Sequence, residues 1–235
     1  MLKLMYITNS PEVASIADGA GVDRIFIDLE RYGKEKRQKN WDSVKSKHSI
    51  SDIPKVKSAV KNAQIFVRTD PIFDGFSDEL EGVLACEPDV VMLPYFKTVR
   101  EVETFIKAVD GRATTSLLLE TREAAEQIDD IISVGGIDEI HIGLNDLSHS
   151  YGKKFLFEEL ADGTVDRLVE RFKADGIKNY GFGGIASLGS GLLPAEMIIP
   201  EHTGSARTAR YFPAHSAMYQ RSAISTRYAA SSTRV

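Results

Sequence analysis

Short runs of β-branched and apolar residues alternate along the chain with longer stretches whose apolar positions recur at helical spacing. The runs are KLMYIT, RIFIDL, QIFVRT, VVMLPY, SLLLE, EIHIGL, YGFGGI and EMIIP, and their near-continuous apolarity predicts strands buried on both faces. Between them lie SPEVASIADGAG, DELEGVLACE, TVREVETFIKAV, TREAAEQIDDIISV and GTVDRLVERFKADG, with Ser, Thr or Asp near the starts and Gly near the ends, as helices have. Such alternation implies parallel strands joined by helical crossovers. Eight repeats in roughly 200 residues fit a closed ring better than an open sheet. A doubly wound sheet is the alternative, but the GxGxxG phosphate turn after its first strand is missing. The predicted fold is therefore α/β, a (β/α)8 TIM barrel over residues 1–203, followed by an atypical tail over 204–235.

Spacing adds chemistry to this pattern. Arg68, Pro94, Glu120 and Asp146 succeed one another every 26 residues, which predicts one phase of successive βα units, the carboxyl ends of the strands where barrel enzymes carry their active sites. Glu120 closes SLLLE and Asp146 follows EIHIGLN, so two carboxylates are expected at the ends of strands about 5 Å apart. Anions that close need a proton or a cation between them, and a hard divalent ion such as magnesium or manganese, keeping several waters, suits oxygen ligands. In the other reading each carboxylate caps the helix that follows, where it complements the dipole. Arg68 ends QIFVRT, and its planar charged donors suit a substrate carboxylate or an enolate oxygen. It could instead form a salt bridge to Asp28 or Glu30 across the barrel mouth. Those two acids lie on opposite faces if the strand in RIFIDLER continues that far, so at most one need face the centre.

Composition narrows the classes. A chain of 235 residues with 43% hydrophobic content supports one large soluble domain. The single cysteine, Cys86, excludes an internal disulfide framework, and MLKLMYIT lacks the features of a signal peptide, which reads as reducing cytoplasm. No apolar run is long enough for a bilayer, and a net charge of −5 without a basic, aromatic-interleaved run leaves no footprint for nucleic acid. KEKRQKN reads as a solvated helix start or loop, and Gly183 and Gly184 as a place of close backbone approach. His141, inside a strand, reads as a packed residue, and His149 as a surface loop histidine.

Taken together, IDLERYG, VRTDP, VMLPYFKTVREVE, LLLETREAAEQIDDIISVGGIDEIHIGLNDLSHSYG and GLLPAEMIIPEH resemble the HpcH/HpaI aldolase and citrate lyase family over roughly residues 20–203. The most specific block is E-T/S-x-x-A followed by G-[IV]-D-x-[IV]-x-I-G-x-x-D-L-S. The resemblance implies a (β/α)8 barrel in which Glu120 and Asp146 hold Mg2+ or Mn2+, and the metal chelates a 2-oxo acid such as pyruvate. It also implies that Arg68 stabilises the enolate and that backbone N–H groups around Asn145 and Asp146 receive the substrate carboxylate. The reaction implied is carbon–carbon cleavage or formation with an aldehyde or acyl-CoA partner, in a homo-oligomer.

The chain departs from the pattern twice. Aldolases of this family read D-x-E-H, the histidine serving or orienting the base, and the citrate and malyl-CoA lyase branch reads D-L-E-D-A-V; here the string is Asp28-Leu29-Glu30-Arg31. Asp28 or Glu30 is then expected to position water or the base, with Glu30, His149 or a metal-bound hydroxide as replacement. The rivals are an acyl-CoA lyase of the citrate lyase β type and a catalytically silent barrel used as a binding or assembly subunit. The second departure is the tail. After Glu201 there is no Asp, Glu or Lys but five Arg, so this stretch carries +5 and residues 1–203 carry −10. Where the family continues with R-L-G and later I-L-S-R-T-F, the chain reads TGSARTARYFPAHSA, whose back-translation from the third codon base permits the family string in register. This reads as a frameshift after about His202. It predicts an irregular tail from Gly204 to Val235, impaired oligomerisation and an intact metal site upstream.

Overall fold

The apolar runs form strands β1 (Lys3–Ile7), β2 (Arg24–Asp28), β3 (Gln64–Arg68), β4 (Val90–Leu93), β5 (Thr114–Leu119), β6 (Glu139–Gly143) and β7 (Asn179–Gly183). The computed structural model describes residues 3–33 and 46–183 and the backbone of residues 209–212. The EMIIP run lies outside these residues. The segment that pairs with both β7 and β1 is instead β8 (Ala209–Phe212), which belongs to the arginine-bearing tail. All neighbours are parallel, and the order β1 to β8 closes on itself, giving an α/β, (β/α)8-like barrel.

Local signals explain several helix bounds. In α1 (Pro11–Gly19) the Ser10 hydroxyl accepts the Val13 N–H and Pro11 opens the first turn, where no intrahelical donor is lost. Helix α2 (Asp52–Ala59) is not among the helix-like stretches read from the sequence; its Pro54 stands in the first turn, where its missing N–H costs nothing. Next come α3 (Phe76–Leu84) and α4 (Val99–Val109), the latter held by a reciprocal Thr98–Glu101 capping box and ended by left-handed Asp110. The stretch expected as one helix, TREAAEQIDDIISV, is two: α5 (Arg122–Glu126) and α6 (Ile128–Ser133). The break falls at Gln127, whose side-chain amide donates to the carbonyls of Glu123 and Lys97. Then follow α7 (Leu144–Ser150), α8 (Glu158–Ala161) and α9 (Thr164–Ala174).

Alternation along the strands makes two cores. Outward residues such as Ile25, Ile65, Val91, Leu117, Ile140 and Phe182 pack against the helices, while Met5, Ile7, Phe26, Phe66, Val90, Met92 and Leu118 fill the barrel. Inside, the rings of Phe26 and Phe66 meet edge to face at 4.8 Å. Two guanidinium groups lie against them, Arg24 at 5.4 Å from Phe66 and Arg68 at 5.4 Å from Phe26. Arg24 forms a bidentate pair with Glu139 (2.6 Å twice) and donates to Gln64 (3.0 Å), crossing the barrel between β2 and β6 near its amino-terminal rim. Burial, with the charges of Arg68 and Arg24, pushes His141 down to about 3, so this strand histidine is a neutral packed residue.

The amino-terminal rim is fastened by aspartates. Asp23, Asp89 and Asp138 precede β2, β4 and β6, and their carboxylates accept the N–H of Leu4, Ile65 and Thr115 on the strand before (2.7, 2.7 and 2.8 Å). Their own N–H groups return to the carbonyls of the same three residues.

Candidate active site

Asp28 and Arg68 end β2 and β3 and are register partners. Both are buried, and Arg68 Nε and Nη2 donate to the two oxygens of Asp28 at 2.9 Å each. Glu30 Oε2 lies 3.4 Å from Arg68 Nη2. Strand β2 stops at Asp28, so the alternation that would send Glu30 to the opposite face no longer operates. The Glu30 N–H folds back onto Asp28 Oδ1 (3.2 Å), and both acids meet the guanidinium. The expectation that at most one of them need face the centre held only if the strand continued to Glu30, and it does not; the ion pair foreseen as the alternative role of Arg68 is formed.

Glu120 follows β5, is 5% exposed, and accepts the Tyr95 backbone N–H at 3.1 Å. Tyr95 is in the left-handed region (φ 49°), uncommon for a residue with a side chain, and this strain accompanies an amide directed at the carboxylate. Thr121, not Glu120, caps α5. A Cβ on Gly143 would lie 2.7 Å from Glu120 Oε2 and 2.8 Å from Glu120 Cβ, so only glycine leaves room for this carboxylate. Gly143 begins the turn that carries Asn145 and Asp146, the second and third residues of α7, whose amides are among those with no partner inside the helix.

The equal 26-residue spacing does not place all four residues alike. Register partners Arg68↔Met92, Met92↔Ser116 and Leu118↔His141 are 24, 24 and 23 residues apart. Steps of two keep Arg68 and Glu120 in the same alternation phase; the final step of three carries Asp146 past the strand into α7. Asp146 is partly buried, and Asn145 and His149 are exposed. Among the described residues no three His, Cys, Asp or Glu side chains gather as a ready cage. A cation at Glu120 and Asp146 would take its remaining oxygens from water and substrate, which is how magnesium is commonly held. The glycine cradle around a buried, amide-tethered carboxylate fits that donor set.

Four participants were not legible as such in the sequence: His48, Asp70, Glu79 and Tyr95. Asp70 Oδ1 accepts the N–H groups of Arg31 and Tyr32 (2.6 Å each), and the Asp70 N–H donates to Glu79 Oε1 (2.9 Å), tying the mouth loop to α3. Burial pushes the Glu79 carboxyl up to about 7; Asp70 adds to the rise, while the Asp70 N–H bond and Arg31 oppose it. The folded state thus holds this proton more tightly than the unfolded chain. Its stabilising contribution is full below the ordinary value of 4.5 and is lost as pH rises through about 7. Glu79→Gln keeps an acceptor for Asp70, so its Tm is expected to gain on the native protein's between pH 5 and 8. Parallel Tm curves across that range would refute the assignment.

A model of the family described as HpcH/HpaI aldolase/citrate lyase matches residues 3–181. The chain belongs to that family. HpcH/HpaI membership places it among aldolases and citrate lyases, a lyase class. An HpcH/HpaI aldolase/citrate lyase family protein from Burkholderia cenocepacia J2315 is similar in structure, with TM-score 0.73 and 13% identity, covering 100% of this chain and 95% of its own. The citrate synthase SbnG has TM-score 0.69 and 17% identity, covering 100% and 94%. The citrate lyase beta subunit from M. tuberculosis, complexed with oxaloacetate and magnesium, has TM-score 0.59 and 18% identity, covering 88% and 89%. At these identities the likeness shows the fold. No curated protein sequence matches the chain. Among the described residues no helix is long and apolar enough to cross a membrane.

Proposed function

We propose that this HpcH/HpaI family member is a divalent-cation-dependent carbon–carbon lyase of the aldolase type, acting on a 2-oxo acid such as pyruvate through its enolate. One observation carries the reading: a buried carboxylate, Glu120, is fixed by an amide and a glycine cradle on the same barrel rim as a buried guanidinium, Arg68, fixed by Asp28. Glu120 and Asp146 would hold Mg2+ or Mn2+. When bound, such a cation polarises the substrate ketone and brings the enolate within reach near neutral pH. Arg68 places positive charge beside the oxygen that gains charge, and Asp28 sets the plane of its fork. The amides of Asn145 and Asp146 at the start of α7 receive the substrate carboxylate. Asp28 commits both oxygens to Arg68, so Glu30 is the acid assigned to water or to the transferred proton.

A citrate lyase β-type reading, with an acyl-CoA as partner, is favoured by Asp28-Leu29-Glu30, which follows that branch's D-L-E. Incubation with pyruvate and manganese in deuterium oxide separates the cases. The native protein is expected to wash deuterium into the pyruvate methyl group, and chelator to stop it. Cleavage of acyl-CoA without such exchange would transfer the chain to the second reading. Neither activity with any 2-oxo acid or acyl-CoA would make it a silent barrel.

A further inference from the structure

We propose that His48 is a positioning residue for the Arg68 oxyanion site, acting through the main chain of Asp28. The catalytic part of this inference rests on the role given to Arg68 above. His48 is buried, and its Nδ1 accepts the backbone N–H of Asp28 at 3.0 Å. The β1–β2 ladder ends with the Thr8 N–H on the Phe26 carbonyl, and the next donor of β2 on that ladder, the Asp28 N–H, is taken by His48.

A backbone amide can only donate. The ring nitrogen that meets it therefore carries the lone pair, and the proton of the neutral ring sits on Nε2. The main chain thus selects the tautomer, and Nδ1 is engaged in holding residue 28 in place of accepting a substrate proton. Arg31 completes the arrangement, since its Nη2 donates to the His48 carbonyl. Arg31, the residue standing where aldolases of the family have histidine, thus grips the main chain of His48.

Contacts then run without a gap from Arg31 to His48, to the Asp28 amide, through the Asp28 carboxylate, to both donors of the Arg68 fork. The peptide plane at residue 28 sets where its Cβ points, and so where the carboxylate aims the guanidinium. Misplacement of a catalytic group by about 1 Å is enough to cost a hundredfold in rate.

His48→Asn offers an amide oxygen near the place of Nδ1, whereas His48→Leu keeps bulk and removes the acceptor. The Arg68 Nε–H resonance in NMR, slow to exchange while tied to Asp28, is expected to persist in His48→Asn and to vanish in His48→Leu. Pyruvate deuterium exchange should follow it: near-native kcat for the asparagine variant, a fall of roughly ten- to a hundredfold for the leucine variant, and a smaller change in KM. A leucine variant that keeps both the resonance and kcat overturns the proposal. So does an asparagine variant that loses as much kcat as leucine with the Arg68 signal intact, since the imidazole would then act on substrate directly. The Arg68 signal needs no turnover; if it follows the expected pattern in a protein without exchange activity, the lyase reading fails and the His48–Asp28–Arg68 coupling stands. Should the leucine variant not fold, nitrogen-15 shifts of the native ring at pH 8 decide, and a proton on Nδ1 overturns the assignment.

Discussion

Glu120→Ala is expected to lower manganese-dependent deuterium exchange into pyruvate by roughly a hundred- to a thousandfold or more, at least the range for loss of one preorganised hydrogen-bond donor to a developing charge. Truncation removes one of two carboxylates assigned to the cation, and the Tyr95 amide loses its acceptor. Gly143→Ala tests the same geometry without removing any charge. Its methyl would sit 2.7 Å from Glu120 Oε2, against a carboxylate whose other oxygen is tethered, so either the side chain or the β6–α7 turn must move. Exchange should fall about ten- to a hundredfold, as when a group orienting a metal ligand is lost, and manganese affinity measured by calorimetry should fall with it. Native exchange and affinity in Gly143→Ala would mean that Glu120 is not held against that cradle. Native exchange in Glu120→Ala would remove it from the chemistry.

The second large effect concerns stability at the opposite rim. Arg24→Met leaves Glu139 buried without its bidentate partner, and removing one member of a buried pair costs about 3–5 kcal/mol. A fall in Tm of roughly 10 °C is expected for a domain of this size. Lys3, 3.6 Å from Glu139 and a third exposed, can compensate only in part. Arg24→Met combined with Glu139→Leu removes both charges, and apolar replacement of a whole pair is often neutral or stabilising. Thermal unfolding of the two single variants and the double variant checks this. Additive losses would show that the pair contributes little as a pair.

The sequence was informative where local rules govern. Seven of the eight strand runs, and the starts of the helices capped by Ser10, Thr98 and Thr121, lie within a few residues of their predicted places, because apolar period and capping chemistry are local properties. Long-range geometry was not so legible. Glu30 could not be placed, since its direction depends on where β2 stops and on the turn of its own N–H back to Asp28. Equal spacing suggested one phase for Arg68, Glu120 and Asp146, but register offsets of 24 and 23 residues are set by pairing between strands. His48 was invisible for the same reason. Twenty residues separate it from Asp28, and nothing near KSKHSIS announces that its ring will meet a strand amide. The eighth strand was expected at EMIIP, the most apolar run near the end; β7 and β1 instead find their partner in ARYF of the tail.

The aspartate fastenings at the amino-terminal rim bear on how such a scaffold tolerates change. Asp23 and Asp89 each reach in two directions: the carboxylate and N–H hold the strand before, while the carbonyl accepts the first N–H of the strand after, from Gln64 and Thr114. Joinery of this kind is independent of the loops at the other end. The mouth is therefore the part that evolution or an engineer can lengthen, exchange or graft to suit a new substrate, and insertions between strand and following helix should be accepted far more readily than those between helix and following strand.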